Sequence, residues 1–274
     1  MTPSRLVIIT DLDGTLLDQE SYSYEASLPA VRKLLSRKIP LVLCSSKTRA
    51  EIVLLWQELA LKDPFISENG GAIYLLFRYF PFPVLGLKSK GPFEALELGT
   101  DIFLLRQALL ETARSCDARV KPFGTMSLGE ITTITGLRTD QAVLASQREY
   151  DEPFLVESKD PEGLFAALRK KGLEVTSGDR FHHLTGGHSK GEAVRRILNL
   201  YHRQYGSIIS VGLGNSANDL PFLVQVDRPI LIKNPDGSWD QQVVEKMPAI
   251  ERTDGIGPNG WREAIEKILG DTGE

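Results

Sequence analysis

Apolar and polar positions follow a clear rhythm through the first third of the chain. Leu6-Val7-Ile8-Ile9 is an unbroken apolar run, the pattern of a strand buried on both faces. Over residues 26–37, Ala26, Val31, Leu34 and Leu35 recur at helical spacing. Residues 39–43 read as a second buried strand, and residues 48–61 as a helix with Ile52, Leu55 and Leu59 on one face. Phe65-Ile66 begins a short strand before the turn Glu68-Asn69-Gly70-Gly71, and residues 72–77 form another. Strands alternating with helices predict a parallel sheet covered on both faces.

The rhythm breaks at Tyr79-Phe80-Pro81-Phe82-Pro83, where prolines disfavour a central strand and suit a hinge. Beyond it come expected helices at 100–114, 140–149 and 161–171, with short extended pieces at 154–157, 173–176 and 181–184. The first rhythm resumes at Ser189 with a helix to residue 205 and a strand at 208–211. A glycine-rich turn, a helix, a strand at 229–232 and a last helix at 261–269 complete it. The expected class is α/β: a Rossmann-like doubly wound parallel sheet over 1–83 and 186–274, with a smaller α/β unit inserted at 84–185. There is no internal repeat.

Composition narrows the function classes. A chain of 274 residues exceeds the size at which a single core stops growing, which agrees with two units. A net charge of −4 gives no reason to expect nucleic acid or a membrane surface as partner. No apolar run is long enough to span a bilayer, and Asp11 interrupts the first one too early for a signal peptide. Cys44 and Cys116 lack metal spacing and read as buried thiols of a reducing compartment, so the expected location is cytoplasmic. Four scattered histidines argue against zinc.

Candidate chemistry gathers where strands end. Asp11 and Asp13 follow the first strand in Asp-Leu-Asp-Gly-Thr. Two carboxylates so placed can share a hard cation while one attacks an electrophile, although an acidic turn after a strand reads the same way. Ser45 follows the second strand, where a hydroxyl can hold a phosphate oxygen or simply begin a helix. Lys190 stands in Gly187-His188-Ser189-Lys190-Gly191 at a helix start. Gly212-Leu213-Gly214-Asn215-Ser216-Ala217-Asn218-Asp219 follows the 208–211 strand and offers oxygens to a metal. Ligands of open α/β sheets bind beyond the carboxyl ends of strands, where all four elements fall.

These four elements, in this order, resemble the motifs of the haloacid dehalogenase superfamily, mostly magnesium-dependent phosphatases. The resemblance implies Asp11 as nucleophile forming an aspartyl-phosphate and Asp13 as general acid and base. It implies Ser45 as a phosphate-binding hydroxyl, Lys190 as the cation, and Mg2+ held by Asp11, Asp13, Asn215 and Asp219, with Asn218 beside the substrate. The family usually reads Gly-Asp-x-x-Asn-Asp in the last motif, so Asn215 removes one negative charge from the metal site.

A narrower resemblance spans nearly the whole chain. Ile134-Thr135-Gly136-Leu137, Arg148-Glu149-Tyr150-Asp151-Glu152-Pro153-Phe154, the run from Ser177 to Gly186, Ser67-Glu68-Asn69-Gly70-Gly71 and Gly257-Pro258-Asn259-Gly260-Trp261 are similar to mannosyl-3-phosphoglycerate phosphatases. This implies a sugar phosphoglycerate as the small-molecule partner and mannosylglycerate, a compatible solute, as product. Such a substrate asks for cations and hydroxyl-binding groups, for which Arg148, Glu149, Arg180, Lys47 and Asn69 are candidates. Of the two adjacent histidines, His182 is expected to share the face of Arg180, since neighbouring strand residues face opposite sides. The alternatives are a glucosyl-3-phosphoglycerate or other sugar phosphate phosphatase, and a silent phospho-ligand binder prompted by Asn215. Oligomeric state is left open.

Overall fold

The computed structural model describes residues 5–158, 161–177 and 180–271. In chain order the first elements are β1 (Arg5–Thr10), α1 (Leu28–Ser36), β2 (Leu41–Cys44), α2 (Arg49–Glu58), β3 (Phe65–Ser67) and β4 (Ala72–Leu76). A hairpin, β5 (Leu87–Lys90) and β6 (Phe93–Glu97), comes next. Then follow α3 (Ile102–Ser115), β7 (Val120–Pro122), α4 (Leu128–Thr135), α5 (Thr139–Ala145), β8 (Glu152–Val156), α6 (Glu162–Lys170), β9 (Glu174–Ser177) and β10 (His182–Thr185). The chain closes with α7 (Lys190–Tyr205), β11 (Ile208–Gly214), α8 (Leu220–Leu223), β12 (Arg228–Lys233), α9 (Gln241–Lys246), β13 (Glu251–Ile256) and α10 (Gly257–Asp271).

Nine strands form one sheet in the order β13-β12-β11-β1-β2-β3-β4-β6-β5. The strands from β13 to β3 are parallel, and β4, β6 and β5 continue the sheet antiparallel. Alternation along β1 shows why its run is wholly apolar. Leu6 and Ile8 pack with Leu34, Ile52 and Trp261 on one face, while Val7 and Ile9 pack with Ile197, Tyr201 and Phe222 on the other. From β1 the chain crosses to β2 on one side, and β11 pairs on the opposite side, so the order reverses at β1. That reversal opens a crevice at the carboxyl ends of β1 and β11.

A second sheet, four antiparallel strands in the order β7-β8-β10-β9, stands beside the first. One face carries Leu105 and Leu109 of α3 and Leu164, Phe165 and Leu168 of α6. The other carries Phe123, Ile131, Ala142 and Phe181, with α4 and α5 over it. No described helix is long and apolar enough to cross a membrane.

Several expectations shift. The hairpin β5–β6 pairs with β4, so a boundary after residue 83 cuts through the large sheet. Its strands sit at the edge, and the Leu87-Lys88-Ser89-Lys90 stretch, mostly exposed, carries too little apolar signal to announce a strand. The helix expected to reach residue 149 ends at Ala145. Cys44 is buried and its thiol pushed up to about 12 by burial, but Cys116 is exposed because it closes the last turn of α3.

Two segments connect the sheets, and they cross closely. At Gly186 a Cβ would fall 1.9 Å from Thr100 Oγ1, so only glycine lets the outgoing and returning chains pass. Nearby, Glu68 is fully buried at a positive φ of 48°. Its carboxylate accepts the backbone N–H groups of Glu149, Tyr150 and Asp151 at 2.9–3.1 Å, binding the start of β8 to the turn after β3. Burial pushes the Glu68 carboxyl up to about 7, against the pull of Arg148 and these N–H groups. The native state therefore holds a proton that the unfolded chain has released, and stability from this group falls as pH rises from about 4.5 to about 7. Glu68→Gln should flatten that slope. Urea unfolding of both proteins at either end of the window is expected to differ by about 1–3 kcal/mol in its pH dependence. Parallel curves would exclude the assignment.

Candidate active site

Asp11 leaves β1 at the crevice, its N–H donating to Leu213 O of β11 at 2.9 Å. Lys190 begins α7, whose start is fixed by Ser189 accepting the Glu192 N–H. The Lys190 ammonium is buried and donates to Asp11 Oδ1 at 2.8 Å and to Asp219 Oδ1 at 2.7 Å. Asp219 uses its other oxygen for the N–H groups of Asn215 at 2.9 Å and Ser216 at 3.2 Å. Two buried acids thus share one ammonium. Burial, then the neighbouring Asp219, push the Asp11 carboxyl up to about 7 despite Lys190, while the two carboxylates raise Lys190 above the ordinary lysine range against its own burial. The surplus of negative charge suits a cation.

Asp13 follows two residues on, in a turn that Gly14 closes at φ 71°; a Cβ there would strike Asn215 Nδ2 at 2.5 Å. Its Oδ2 meets Lys47 Nζ at 3.0 Å, while its Oδ1 is buried without a hydrogen-bond partner. Burial raises its carboxyl above the usual range against the effect of Lys47. Lys47 also lies 3.9 Å from Glu51 and 4.6 Å above the Tyr22 ring. Ser45 is buried after β2, its Oγ accepting the Lys47 N–H at 3.2 Å and its carbonyl accepting the Asn69 N–H at 3.0 Å. Asn218 Nδ2 donates to Asn69 Oδ1 at 3.1 Å, joining the turn after β3 to the loop after β11.

Beyond Asp13 and Lys47 a cleft of about 200 Å³ runs between the two sheets, lined also by Arg148, Arg180 and His183. Arg148 donates to Ser46 O at 3.0 Å, and Arg180 to Thr135 O. Three expected members do not line it: Asn69, which bonds Asn218 and Asp151 instead, Glu149 and His182. Glu149 is held by Arg49 at 2.7 Å, Lys90 at 3.2 Å and Tyr74 Oη at 3.3 Å, because the helix stops short and residue 149 runs along the large sheet. His182 packs against Phe154 and Phe165 beneath α6, with ring centroids 5.6 and 4.9 Å away. Strand alternation joins His182 to Arg180 only if both lie in one strand, and β10 begins at His182, so its parity does not extend back to the arginine. His183 faces the cleft instead.

The metal set also changes. Among the described residues, no group of three or more His, Cys, Asp or Glu is arranged to hold a metal ion. Both Asp219 oxygens are engaged with Lys190 and loop amides, so it anchors the ammonium and the loop. Asn215 packs its amide against Gly14 and donates from Nδ2 to Asn234 Oδ1 at 3.0 Å. Asn234, Glu68, Asp151 and His183 escaped the sequence reading. Only the Glu-Asn-Gly-Gly turn and the paired histidines hinted at any of them.

A family model of haloacid dehalogenase-like hydrolases matches residues 8–78. The glucosyl-3-phosphoglycerate/mannosyl-3-phosphoglycerate phosphatase of Methanococcoides burtonii is 38% identical over 266 residues, which cover 96% of this chain and 97% of that one. The mannosyl-3-phosphoglycerate phosphatase of Pyrococcus furiosus is 38% identical over 226 residues, covering 82% and 90%. Among solved structures, a Bacteroides thetaiotaomicron phosphatase of the same superfamily has a TM-score of 0.67 over 98% of both chains at 18% identity. Fold and site together define a haloacid dehalogenase-like phosphatase. Within that class, the chain belongs to the mannosyl-3-phosphoglycerate phosphatase family.

Removing the shared ammonium leaves two buried carboxylates facing each other. Lys190→Met, measured by denaturant unfolding with EDTA present, should lose about 3–5 kcal/mol. The loss should grow as pH rises above about 7, where the parent Asp11 has given up its proton and the variant's, lacking the ammonium, still holds one that the unfolded chain releases. A loss under about 1 kcal/mol would show that the pair is compensated elsewhere.

Proposed function

We propose that this phosphatase hydrolyses the phosphomonoester of mannosyl-3-phosphoglycerate to mannosylglycerate and inorganic phosphate, with glucosyl-3-phosphoglycerate as the alternative substrate. The reading is carried by Asp11, held at the end of β1 by the same ammonium that holds Asp219, two residues before Asp13, which lines a cleft with Lys47, Arg148 and Arg180. The names borne by relatives at this level of identity support the substrate class.

Asp11 Oδ attacks phosphorus and the bond to the glycerate oxygen breaks, leaving an aspartyl-phosphate. Asp13, raised by burial and so able to carry a proton, gives it to that leaving oxygen. It then takes a proton from water, whose oxygen displaces Asp11 and releases phosphate. Lys190 offsets the charge of nucleophile and phosphate throughout, and the Ser45 hydroxyl with its loop holds a phosphate oxygen.

The oxygen donors fit a hard divalent cation. The Asp11 carboxylate, the Asp13 carbonyl and the Asn215 side-chain oxygen would hold it, where the buried acids leave a surplus of negative charge and Asp13 Oδ1 is unpartnered. When bound there, Mg2+ would neutralise charge on the transferring phosphoryl group.

Phosphate release from mannosyl- and glucosyl-3-phosphoglycerate at matched concentrations tests the reading. Turnover of at least one is expected with Mg2+, and EDTA should abolish it. Asp11→Asn should lower kcat by about 10³-fold or more while substrate still binds. Unchanged turnover in that variant would remove Asp11 from the mechanism.

A further inference from the structure

The cleft holds a pair of groups that phosphoryl transfer does not use. Asp151 is fully buried, and both its oxygens meet His183 Nδ1, at 3.0 and 2.9 Å. It also accepts from Asn69 Nδ2 at 3.4 Å and lies 3.5 Å from the Arg148 guanidinium. A carboxylate so surrounded by donors is ionised and can only accept. Burial alone would raise it, yet His183 and Arg148 together hold its carboxyl below the usual range. His183 Nδ1 is thereby committed to Asp151, and in the Nδ1–H tautomer that this contact selects, Nε2 is an acceptor.

The other lining of the cleft says what such an acceptor would meet. Phe123, Leu137, Pro153 and Phe181 supply apolar walls, while Lys47 and Arg180 supply cations. The Nε2 lone pair of that tautomer finds no proton on a phosphate dianion or a carboxylate. A hexose offers hydroxyl donors, and its C–H faces suit apolar walls. The anionic ends of the substrate belong with the cations, and the sugar belongs with the imidazole.

We propose that His183 is the hexose-reading residue, its Nε2 accepting a hydrogen bond from a sugar hydroxyl, with Asp151 as the positioning residue that fixes the tautomer. This rests on the glycosyl-3-phosphoglycerate reading above. The test compares the parent enzyme with His183→Ala, His183→Gln and Asp151→Asn, measuring KM for mannosyl-3-phosphoglycerate and Ki for 3-phosphoglycerate, the same molecule without its hexose. His183→Ala should raise KM about tenfold with Ki within about twofold of the parent value. Glutamine, which keeps an acceptor, should recover part of the loss, and Asp151→Asn should follow His183→Ala in direction. Should the buried Asp151 variant fail to fold, the two variants at His183 decide. Equal changes in KM and Ki, or no change in KM, overturn the proposal. Failure of the underlying reading shows separately: the parent enzyme itself would then release no phosphate from either glycosyl ester.

Discussion

One ammonium bound to two buried carboxylates organises this molecule. Lys190 comes from α7, Asp11 from the end of β1 and Asp219 from the loop after β11, so three distant stretches meet at a single atom. The desolvation of three ionised groups is costly, and it is offset only because every partner is in place. The arrangement leaves a net negative charge at the crevice. That residual charge is the useful product of the interaction, since it is balanced only when a cation or a cation-assisted phosphoryl group arrives.

A second polar network serves a different purpose. Glu68, on the turn after β3, takes its partners at the start of β8, and Asp151 takes His183 of β10 and Asn69 of that same turn. Arg148 reaches from just before β8 to the carbonyl of Ser46, beside Ser45. Asn69 and Asn218 extend the contact to the loop that holds Asp219. The placement of the smaller sheet is therefore registered directly on the loops that carry Ser45 and Asp219.

The sequence made some of this legible because the relevant signals are local. Asp11 and Asp13 sit two residues apart behind an apolar run, and Lys190 marks the first turn of a helix. The doubly wound sheet follows from a rhythm that each strand-helix unit repeats. Other features depend on chain segments that only folding brings together. Asp151 acquires meaning from His183 on a neighbouring strand, and Glu68 from the backbone of residues 149–151. His182 was chosen over His183 because strand alternation was extended through Arg180, which precedes the strand. β13 went unseen since, at the sheet edge, only Thr253 of its six residues is buried, leaving no apolar run to read.

The close crossing at Gly186 and Thr100 sets what the chain tolerates there. Any side chain at residue 186 would wedge the outgoing and returning connections apart. Because Glu68 and Arg148 tie the start of β8 to the turns after β3 and β2, a wedge would strain those ties as well. A substitution that removes no charge and no hydrogen bond would thus be felt as a misfit between the two halves of the molecule.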